Sequence, residues 1–195
     1  MTQVARPAVK LTLKAMQPGD KLLLSQPLGY GLYDRVLVGG QLQPHQLEAL
    51  ETLRTPNFAA APALACLQGV HAVTEATDHG LLGHVIDLCN SWKVGAHLRF
   101  AALPLLPDAL AMATGPMPET AAANWKRHGA RIRLAPHLGR AERCLLTDAL
   151  APGSLLVSCV PDTTTEVLSI FLQQSCIHVS VIGEIVAAEQ GILVD

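Results

Sequence analysis

The sequence predicts one compact domain of mixed strands and helices, and three observations carry this prediction. Short apolar runs typical of buried strands, such as residues 21–25 and 155–160, are interspersed with longer segments such as residues 81–92. In the longer segments, the apolar residues recur at helical spacing. No Pro-, Gly- or Ser-rich linker divides the 195 residues, so a single domain is expected.

The strands are predicted from short apolar or alternating runs that are bounded by Gly, Pro or polar turns. Residues 17–20 form the first such turn, and residues 192–194 are expected to close the chain as a hairpin return. In chain order, the predicted strands are residues 21–25, 70–76, 95–100, 144–148, 155–160, 177–182 with a continuation after Gly183, and 192–194.

The helices are predicted from apolar residues at helical spacing and from residues that begin or end a helix. The glycine pair at 39–40 ends the first helix, and Pro56 and Pro62 divide the second segment. Asp162 is the expected N-cap of the last helix. Residues 115–140 are the least regular part and are expected to be a long excursion from the core. The predicted helices are residues 30–38, 44–68, 81–92, 104–113, 121–127 and 163–174.

The composition indicates a large buried core. Hydrophobic residues make up 50% of the chain and charged residues 15%, with a mean hydropathy of +0.31. An apolar surplus of this kind is often hidden at an interface, which favours an oligomer such as a homodimer. We place the domain at residues 17–195, after a basic, weakly amphipathic lead-in at residues 1–16.

Charge and cysteine usage argue against several classes of protein. The net charge is −2, no dense run of Lys and Arg occurs, and aromatic residues make up 4%, so no nucleic-acid partner is predicted. The five cysteines form no Cys-x-x-Cys pair, as expected of reduced thiols in a cytoplasmic protein. No signal peptide is apparent, and no apolar run reaches the ~20 residues of a membrane span, so no membrane partner is predicted.

Residues 74–84 (TEATDHGLLGH) carry the densest set of reactive groups in the sequence. They are predicted to form the end of a strand, a polar turn and the start of a helix. A carboxylate at Glu75, hydroxyls at Thr74 and Thr77, and a bare backbone amide at Gly80 are the groups that hold a metal ion and a phosphate.

Two interpretations of the polar side chains around this stretch stay open. His71, Glu75, His79 and His84 would form a divalent metal site if the strand and the turn brought them together. Alternatively, His71 lies at a strand edge, His79 in a turn and His84 on a solvated helix face. The spacing of the four residues matches no standard zinc motif.

The two glycines at the start of the predicted helix also permit two interpretations. Gly80 and Gly83 would either present N–H groups to an anion or allow close helix packing. The sequence has no Walker-type or dinucleotide-binding glycine pattern. Ser154 lacks the following glycine that a nucleophile elbow needs, which disfavours a Ser-His-Asp hydrolase. The charged side chains around Asp148 are expected in a solvated loop.

Six segments, taken in order, resemble the C-terminal domain of selenophosphate synthetase (selenide, water dikinase), within the aminoimidazole ribonucleotide synthetase-like group. Residues 18–29 (PGDKLLLSQPLG) and 74–84 resemble the family motifs P-G-D-x-L-x-L-T-K-P-L-G and T-D-V-T-G-F-G-L-L-G-H. The other four segments are residues 102–107, Asn124 with Gly129, residues 145–156 and residues 181–186.

The resemblance implies a PurM C-terminal domain-like fold, which is an α+β domain with a mixed β-sheet flanked by α-helices in three α/β/α layers. It implies Mg²⁺ and ATP as the cofactors of the full-length family, which phosphorylates selenide to selenophosphate. Glu75 would be a metal contact, and Thr74, Thr77, Gly80 and Asn124 would lie near the nucleotide phosphates. No catalytic residue is expected here, because the family's catalytic Cys or Sec and its Lys lie in an N-terminal domain.

The sequence departs from the family motifs at positions near this site. Glu75 stands where the family has an aspartate, and residues 78–79 (DH) replace Gly-Phe. Residues 149–152 (ALAP) replace P-Q-T-S, and the family's Gly-Gly-Thr is absent at residues 119–123. Because Mg²⁺ requires near-octahedral oxygen ligands, the longer side chain of Glu75 changes the expected metal geometry.

Two functional hypotheses follow. In the first, the chain is the C-terminal part of a selenophosphate-synthetase-like enzyme and is inactive alone, with the N-terminal ATP-binding domain of the same or another chain as its partner. In the second, it is a stand-alone ligand-binding or protein-interaction module that has kept the fold and lost the catalysis. The isolated chain is expected to bind magnesium–ATP no tighter than about 1 mM, or about −4 kcal/mol.

Overall fold

The structure is a computed structural model that describes residues 10–12, 14–53, 57–188 and 191–195. The strands are β1 Lys10–Thr12, β2 Lys21–Leu24, β3 Val70–Glu75, β4 Gly95–Leu98, β5 Ile132–Leu134, β6 Leu155–Cys159, β7 Ser180–Val186 and β8 Ile192–Val194. The helices are α1 Tyr30–Val38, α2 Pro44–Glu51, α3 Ala61–Ala65, α4 Gly80–Trp92, α5 Ala109–Met112, α6 Glu119–His128, α7 Arg140–Thr147 and α8 Thr164–Gln173.

The strands form a mixed sheet, which confirms the predicted α+β fold. Within the described residues the sheet has eight strands in the order β1-β3-β6-β2-β7-β4-β8-β5. The first six strands in this order, from β1 to β4, are each antiparallel to their neighbours within this group. Strand β8 is parallel to both β4 and β5. The central strands β2 and β6 are apolar on both faces, because helices pack against both sides of the sheet there.

The larger core lies on one face of the sheet, beneath α4 and α7. The residues Leu81, Leu82, Val85 and Ile86 of α4 recur at helical spacing and are at most 1% exposed. Each such side chain contributes about 1.5–3 kcal/mol through burial. The smaller core lies on the other face, where α3, α8 and the 3-10 segment Asn57–Ala60 contribute residues that pack on β2, β3 and β6.

Most predicted elements are confirmed to within two residues. These include the strands at 21–25, 70–76, 95–100 and 155–160 and the helices at 30–38, 81–92 and 163–174. The segment 44–68 is divided as expected into α2 and α3, with Pro62 in the first turn of α3, whereas Pro56 lies outside the described residues. Of the predicted lead-in, residues 1–9 and 13 lie outside the described residues, and Lys10–Thr12 pair with β3.

The strand predicted at residues 144–148 is wrong, because this segment belongs to α7. Ala141, Cys144 and Leu145 recur at helical spacing, and Glu142 accepts the N–H of Gly139 (2.8 Å) at the start of the helix. A short apolar run does not by itself distinguish a buried helix turn from a buried strand. Residues 140–143, which precede the apolar run, are the part of the sequence that identifies this segment as a helix.

Four further expectations need correction. The segment 115–140 is more regular than predicted, since it contains α6 and β5. The predicted hairpin at residues 192–194 is wrong, because β4 separates β8 from β7. The predicted helix at 104–113 is confined to α5. The N-cap of α8 is Thr163 rather than Asp162, which lies in a 3-10 turn.

None of the helices in the described part of the chain is long and apolar enough to cross a membrane.

Candidate functional site

The stretch at residues 74–84 folds as the sequence predicts, and it lies at one end of β3. The strand ends at Glu75, a turn follows, and α4 begins at Gly80. Glu75 pairs with Leu155 at the start of β6, so this end of β3 lies beside the loop between α7 and β6. The neighbouring antiparallel strands therefore bring two loops, residues 76–79 and 148–154, to the same edge of the sheet.

The carboxylate of Glu75 is tied to the second of these loops. Its Oε1 accepts the backbone N–H of Gly153 at 3.2 Å, and the side chain is half-buried. Thr77 makes a second link, because its carbonyl accepts the N–H of Leu150 at 3.1 Å. Among the described residues, the Glu75 carboxylate is thus held at the rim of the sheet by one backbone N–H, and a second backbone contact joins the two loops.

His84 fixes the turn from the first turn of α4. Its Nε2 accepts the N–H of Thr77 at 2.9 Å, which requires a neutral ring with the proton on Nδ1. Burial, and then the charge of His79, lower the pKa of His84 to about 4, against opposing effects of Asp87 and Asp78. His84 is therefore a structural acceptor at neutral pH. The interpretation that placed it on a solvated helix face is wrong.

The two glycines are positions of close packing. Gly80 has φ +67°, and a Cβ there would lie 2.6 Å from the carbonyl carbon and oxygen of Thr147. A Cβ on Gly83 would lie 2.7 Å from Cβ of His79. Both residues are buried, and the Gly80 N–H donates to the carbonyl of Thr77 at 3.3 Å. The packing interpretation accounts for both glycines.

Asn124 joins the turn to the end of α7. Its Nδ2 donates to the carbonyl of Asp78 at 2.8 Å and to the carbonyl of Thr147 at 2.9 Å. Gly80 and Asn124 therefore meet at Thr147, although they are far apart in sequence, and Thr77 joins this group through the N–H of Gly80. Thr74 is not part of this group, because it is buried in β3 and its Oγ1 donates to the carbonyl of Glu75 at 3.4 Å.

A buried carboxylate that pairs with an exposed arginine lies behind this edge, and sequence reasoning did not identify it. Asp148, predicted in a solvated loop, is 1% exposed. It accepts two hydrogen bonds from Arg35 of α1, at 2.8 and 3.3 Å, and one from Thr120 Oγ1 at 3.0 Å. Gly31 leaves room for the carboxylate, since a Cβ there would lie 2.6 Å from Asp148 Oδ2. Asp148 begins the loop that reaches Glu75.

The four groups proposed as a metal site are not brought together. His71 lies near the other end of β3, where its Nδ1 donates to the buried carboxylate of Asp20 at 2.7 Å. His79 stacks on His84 with 5.4 Å between ring centroids. Across the described ranges, no group of three or more His, Cys, Asp or Glu side chains is placed to hold a metal ion. Glu75 fits Mg²⁺ only as a single carboxylate ligand in a site that other groups complete.

Comparisons with known proteins identify the family. Residues 17–195 match the family described as AIR synthase related protein, C-terminal domain. The chain belongs to this family. It is 45% identical over 175 residues to the selenide, water dikinase of Dechloromonas aromatica and 37% identical over 174 residues to that of Paraburkholderia xenovorans. Each match covers 89% of this chain, and 50% and 49% of those relatives, respectively. The chain thus spans about half the length of the curated relatives it matches.

Solved structures share the fold of this AIR synthase related domain. Thiamine-monophosphate kinase from Stenotrophomonas maltophilia superimposes with a TM-score of 0.62 and 22% identity over 95% of this chain and 52% of that one. The hydrogenase maturation protein HypE of E. coli gives a TM-score of 0.59 and 19% identity over 90% and 45%. At these identities the likeness shows the fold alone.

Proposed function

We propose that this chain is the C-terminal half of a selenide, water dikinase and that its edge at Glu75 completes a nucleotide and magnesium site on an N-terminal ATP-binding half. The sequence identity to two selenide, water dikinases over half of their length supports this assignment. The observation that carries it is the placement of Glu75 at a strand end, with its carboxylate held at the rim by the Gly153 N–H (3.2 Å).

The proposed site needs groups that the described part of the chain does not supply. Mg²⁺ is usually held by one or two carboxylates together with substrate phosphates and waters, and it would neutralise phosphate charge during transfer. Glu75 would contribute one carboxylate, and the turn at Thr77, which Gly80 packs against Thr147, would lie on the phosphate side. One structural neighbour, HypE, was solved in complex with ATP and has a TM-score of 0.55, which is consistent with ATP as the cofactor.

The rigidity of this edge supports a role in positioning. The turn is held by His84, Asn124 and the loop at residues 148–154, so a ligand would meet a preformed surface. Preformed surfaces bind with a smaller entropic cost than mobile ones. The isolated chain is inactive under this proposal, since phosphoryl transfer depends on charges that position ATP on both sides. Dimerisation and a cytoplasmic location remain predictions.

A chimeric enzyme tests the proposal. The C-terminal half of the Dechloromonas aromatica relative would be replaced by residues 17–195 of this chain, and selenide-dependent consumption of ATP would be measured. We expect activity within about 100-fold of the parent, a loss of under 3 kcal/mol in transition-state stabilisation. A folded chimera without activity, beside an active parent, would overturn the proposal and favour the non-catalytic module.

A further inference from the structure

On the sheet face that carries the smaller core, the described residues extend this core over only part of the sheet. The apolar core on this face draws on β2, β3, β6, β7 and the adjoining helices, but on no residue of β4, β5 or β8 within the described ranges. Across β2, β7, β4 and β8, a row of paired residues points out from this face: Lys21, Glu184, His97 and Leu193. All four are half-buried, so this part of the sheet is in contact with solvent.

A cavity of about 210 Å³ opens on this row, lined by Lys21, His97, Arg99, Gly183 and Glu184. Its polar side chains come from three strands and the segment after β4. The volume is below the ~300 Å³ of sites for drug-sized ligands but suits a tetrahedral anion or a small organic acid. The cavity is at the first residue of β2, whereas the Glu75 edge is at the last, about 10 Å away along the strand.

Basic groups exceed the acidic group in this cavity. Lys21 Nζ forms an ion pair with Glu184 Oε2 at 2.6 Å. Arg99 is exposed, and its guanidinium makes no hydrogen bond to the described residues, so its five donors face solvent. The hydrogen bond from Lys21, and then the charges of Lys21, His97 and Arg99, hold the pKa of Glu184 below its usual value.

His97 adds a donor that is incompletely used. Its Nε2 is buried and has no partner of hydrogen-bond geometry among the described residues, although Asp195 Oδ2 lies 3.1 Å away. A buried polar nitrogen without a hydrogen-bonded partner is costly, and a ligand that accepts from it would compete with the nearby Asp195 carboxylate. Two cations, an imidazole and one carboxylate thus line an open cavity, and the carboxylate of Asp195 lies behind the imidazole.

We propose that this cavity binds a small phosphate-type oxyanion, with the guanidinium of Arg99 as the principal contact and Lys21 as the second cation. Arg99 would donate to two oxygens of the anion with its planar guanidinium fork, whose geometry fits a phosphate as well as a carboxylate. Lys21 stays paired with Glu184, and Glu184 opposes the ligand by charge repulsion. The site is separate from the Glu75 edge and does not depend on the proposed function.

Calorimetry and thermal unfolding of the intact chain test this site with inorganic phosphate, sulfate and acetate at constant ionic strength. We expect phosphate and sulfate to bind and to raise the melting temperature more than acetate does. Arg99→Gln should weaken phosphate binding at least tenfold, and Glu184→Gln should strengthen it several-fold. Arg127→Gln, which removes the same charge from the exposed face of α6, is the control and should leave binding unchanged.

Amide NMR locates the binding. Phosphate should shift the amide signals of Gly183 and Arg99 and leave those of Thr77 and Gly153 in place. The proposal would be overturned by phosphate having no more effect than chloride. It would also be overturned by equal losses in Arg99→Gln and Arg127→Gln, which would indicate a net-charge effect. Shifts confined to the Glu75 edge would likewise contradict it.

Discussion

The carboxylate of Glu75 accepts the backbone N–H of Gly153 at 3.2 Å and so joins the end of β3 to the loop that follows α7. The family resemblance implies an aspartate at this position. The extra methylene of glutamate extends the carboxylate to the loop, and residues 149–152 differ from the family motif in the same loop. The two departures therefore lie in segments that this hydrogen bond joins, and the strand end and the loop form one structural unit.

Substitution of Glu75 separates its structural role from its charge. In the isolated chain, Glu75→Ala should lower the free energy of unfolding by about 1 kcal/mol, because the Gly153 N–H loses its partner. Glu75→Gln keeps an acceptor and should cost less than about 0.5 kcal/mol. Urea unfolding measures both. An equal loss in the two variants would mean that charge, rather than the hydrogen bond, holds this edge.

Gly80→Ala tests close packing at the start of α4. Gly80 and Gly40 share φ +67°, but a Cβ on Gly40 meets nothing within 4 Å, whereas one on Gly80 lies 2.6 Å from the carbonyl group of Thr147. Gly40→Ala should cost about 1–2 kcal/mol through backbone strain alone. Gly80→Ala should cost at least about 2 kcal/mol more, through the added overpacking. Equal melting temperatures for the two variants would contradict the packing role of Gly80.

Arg35 should contribute to stability chiefly as the partner of the buried Asp148 carboxylate. Arg35→Met leaves the Asp148 carboxylate with one side-chain donor and should lower the free energy of unfolding by about 2–3 kcal/mol, less than for a fully buried pair because Arg35 is 41% exposed. The double variant Arg35→Met with Asp148→Leu should recover part of this loss. Chemical denaturation of the single and double variants gives the coupling. Additive losses would exclude a direct interaction.

The depressed pKa of His84 predicts that the stability of the folded state decreases as the pH is lowered. The unfolded side chain takes up a proton near pH 6.5, while in the folded state its pKa is about 4, so between these values the unfolded state binds more protons. His84 therefore has little effect on the free energy of unfolding above pH 6.5. Below that pH it lowers this free energy increasingly as the pH falls toward 4. Between pH 7.5 and 4.5 the loss should be about 2–3 kcal/mol.

His84→Gln is the matched control for this pH dependence. Its amide oxygen retains an acceptor for the Thr77 N–H but does not titrate. Denaturant unfolding at a series of pH values should give a shallower decrease for the variant than for the natural chain. Identical pH profiles would contradict the assignment of a neutral, hydrogen-bonded His84.

Much of the fold was predictable because the apolar runs are unambiguous. Residues 21–25 and 155–160 lie in the centre of the sheet, where both faces are buried, and α4 presents a clear helical period. Strand pairing was less accessible, since β8 lies beside β4 and β5 rather than in the predicted hairpin, and this depends on tertiary contacts. The edge strand β5 has only three residues, which is too short for a reliable alternation.

The candidate site was predictable where it is contiguous in sequence. The strand end, turn and helix at residues 74–84 could be read directly, and the position of Asn124 followed from the resemblance. The ion pair of Arg35 and Asp148 joins residues 113 positions apart, and no local pattern marks such a pair. His84 also could not be assigned from sequence, because its role depends on which nitrogen meets the Thr77 N–H.

Calorimetric titration of magnesium–ATP into the isolated chain and into the chimera tests the central claim most directly. If the Glu75 edge only completes a site on another half, the isolated chain should bind no tighter than about 1 mM, or about −4 kcal/mol. The chimera should bind at least tenfold more tightly. Micromolar binding by the isolated chain would contradict the account, because the chain would then hold a complete nucleotide site by itself.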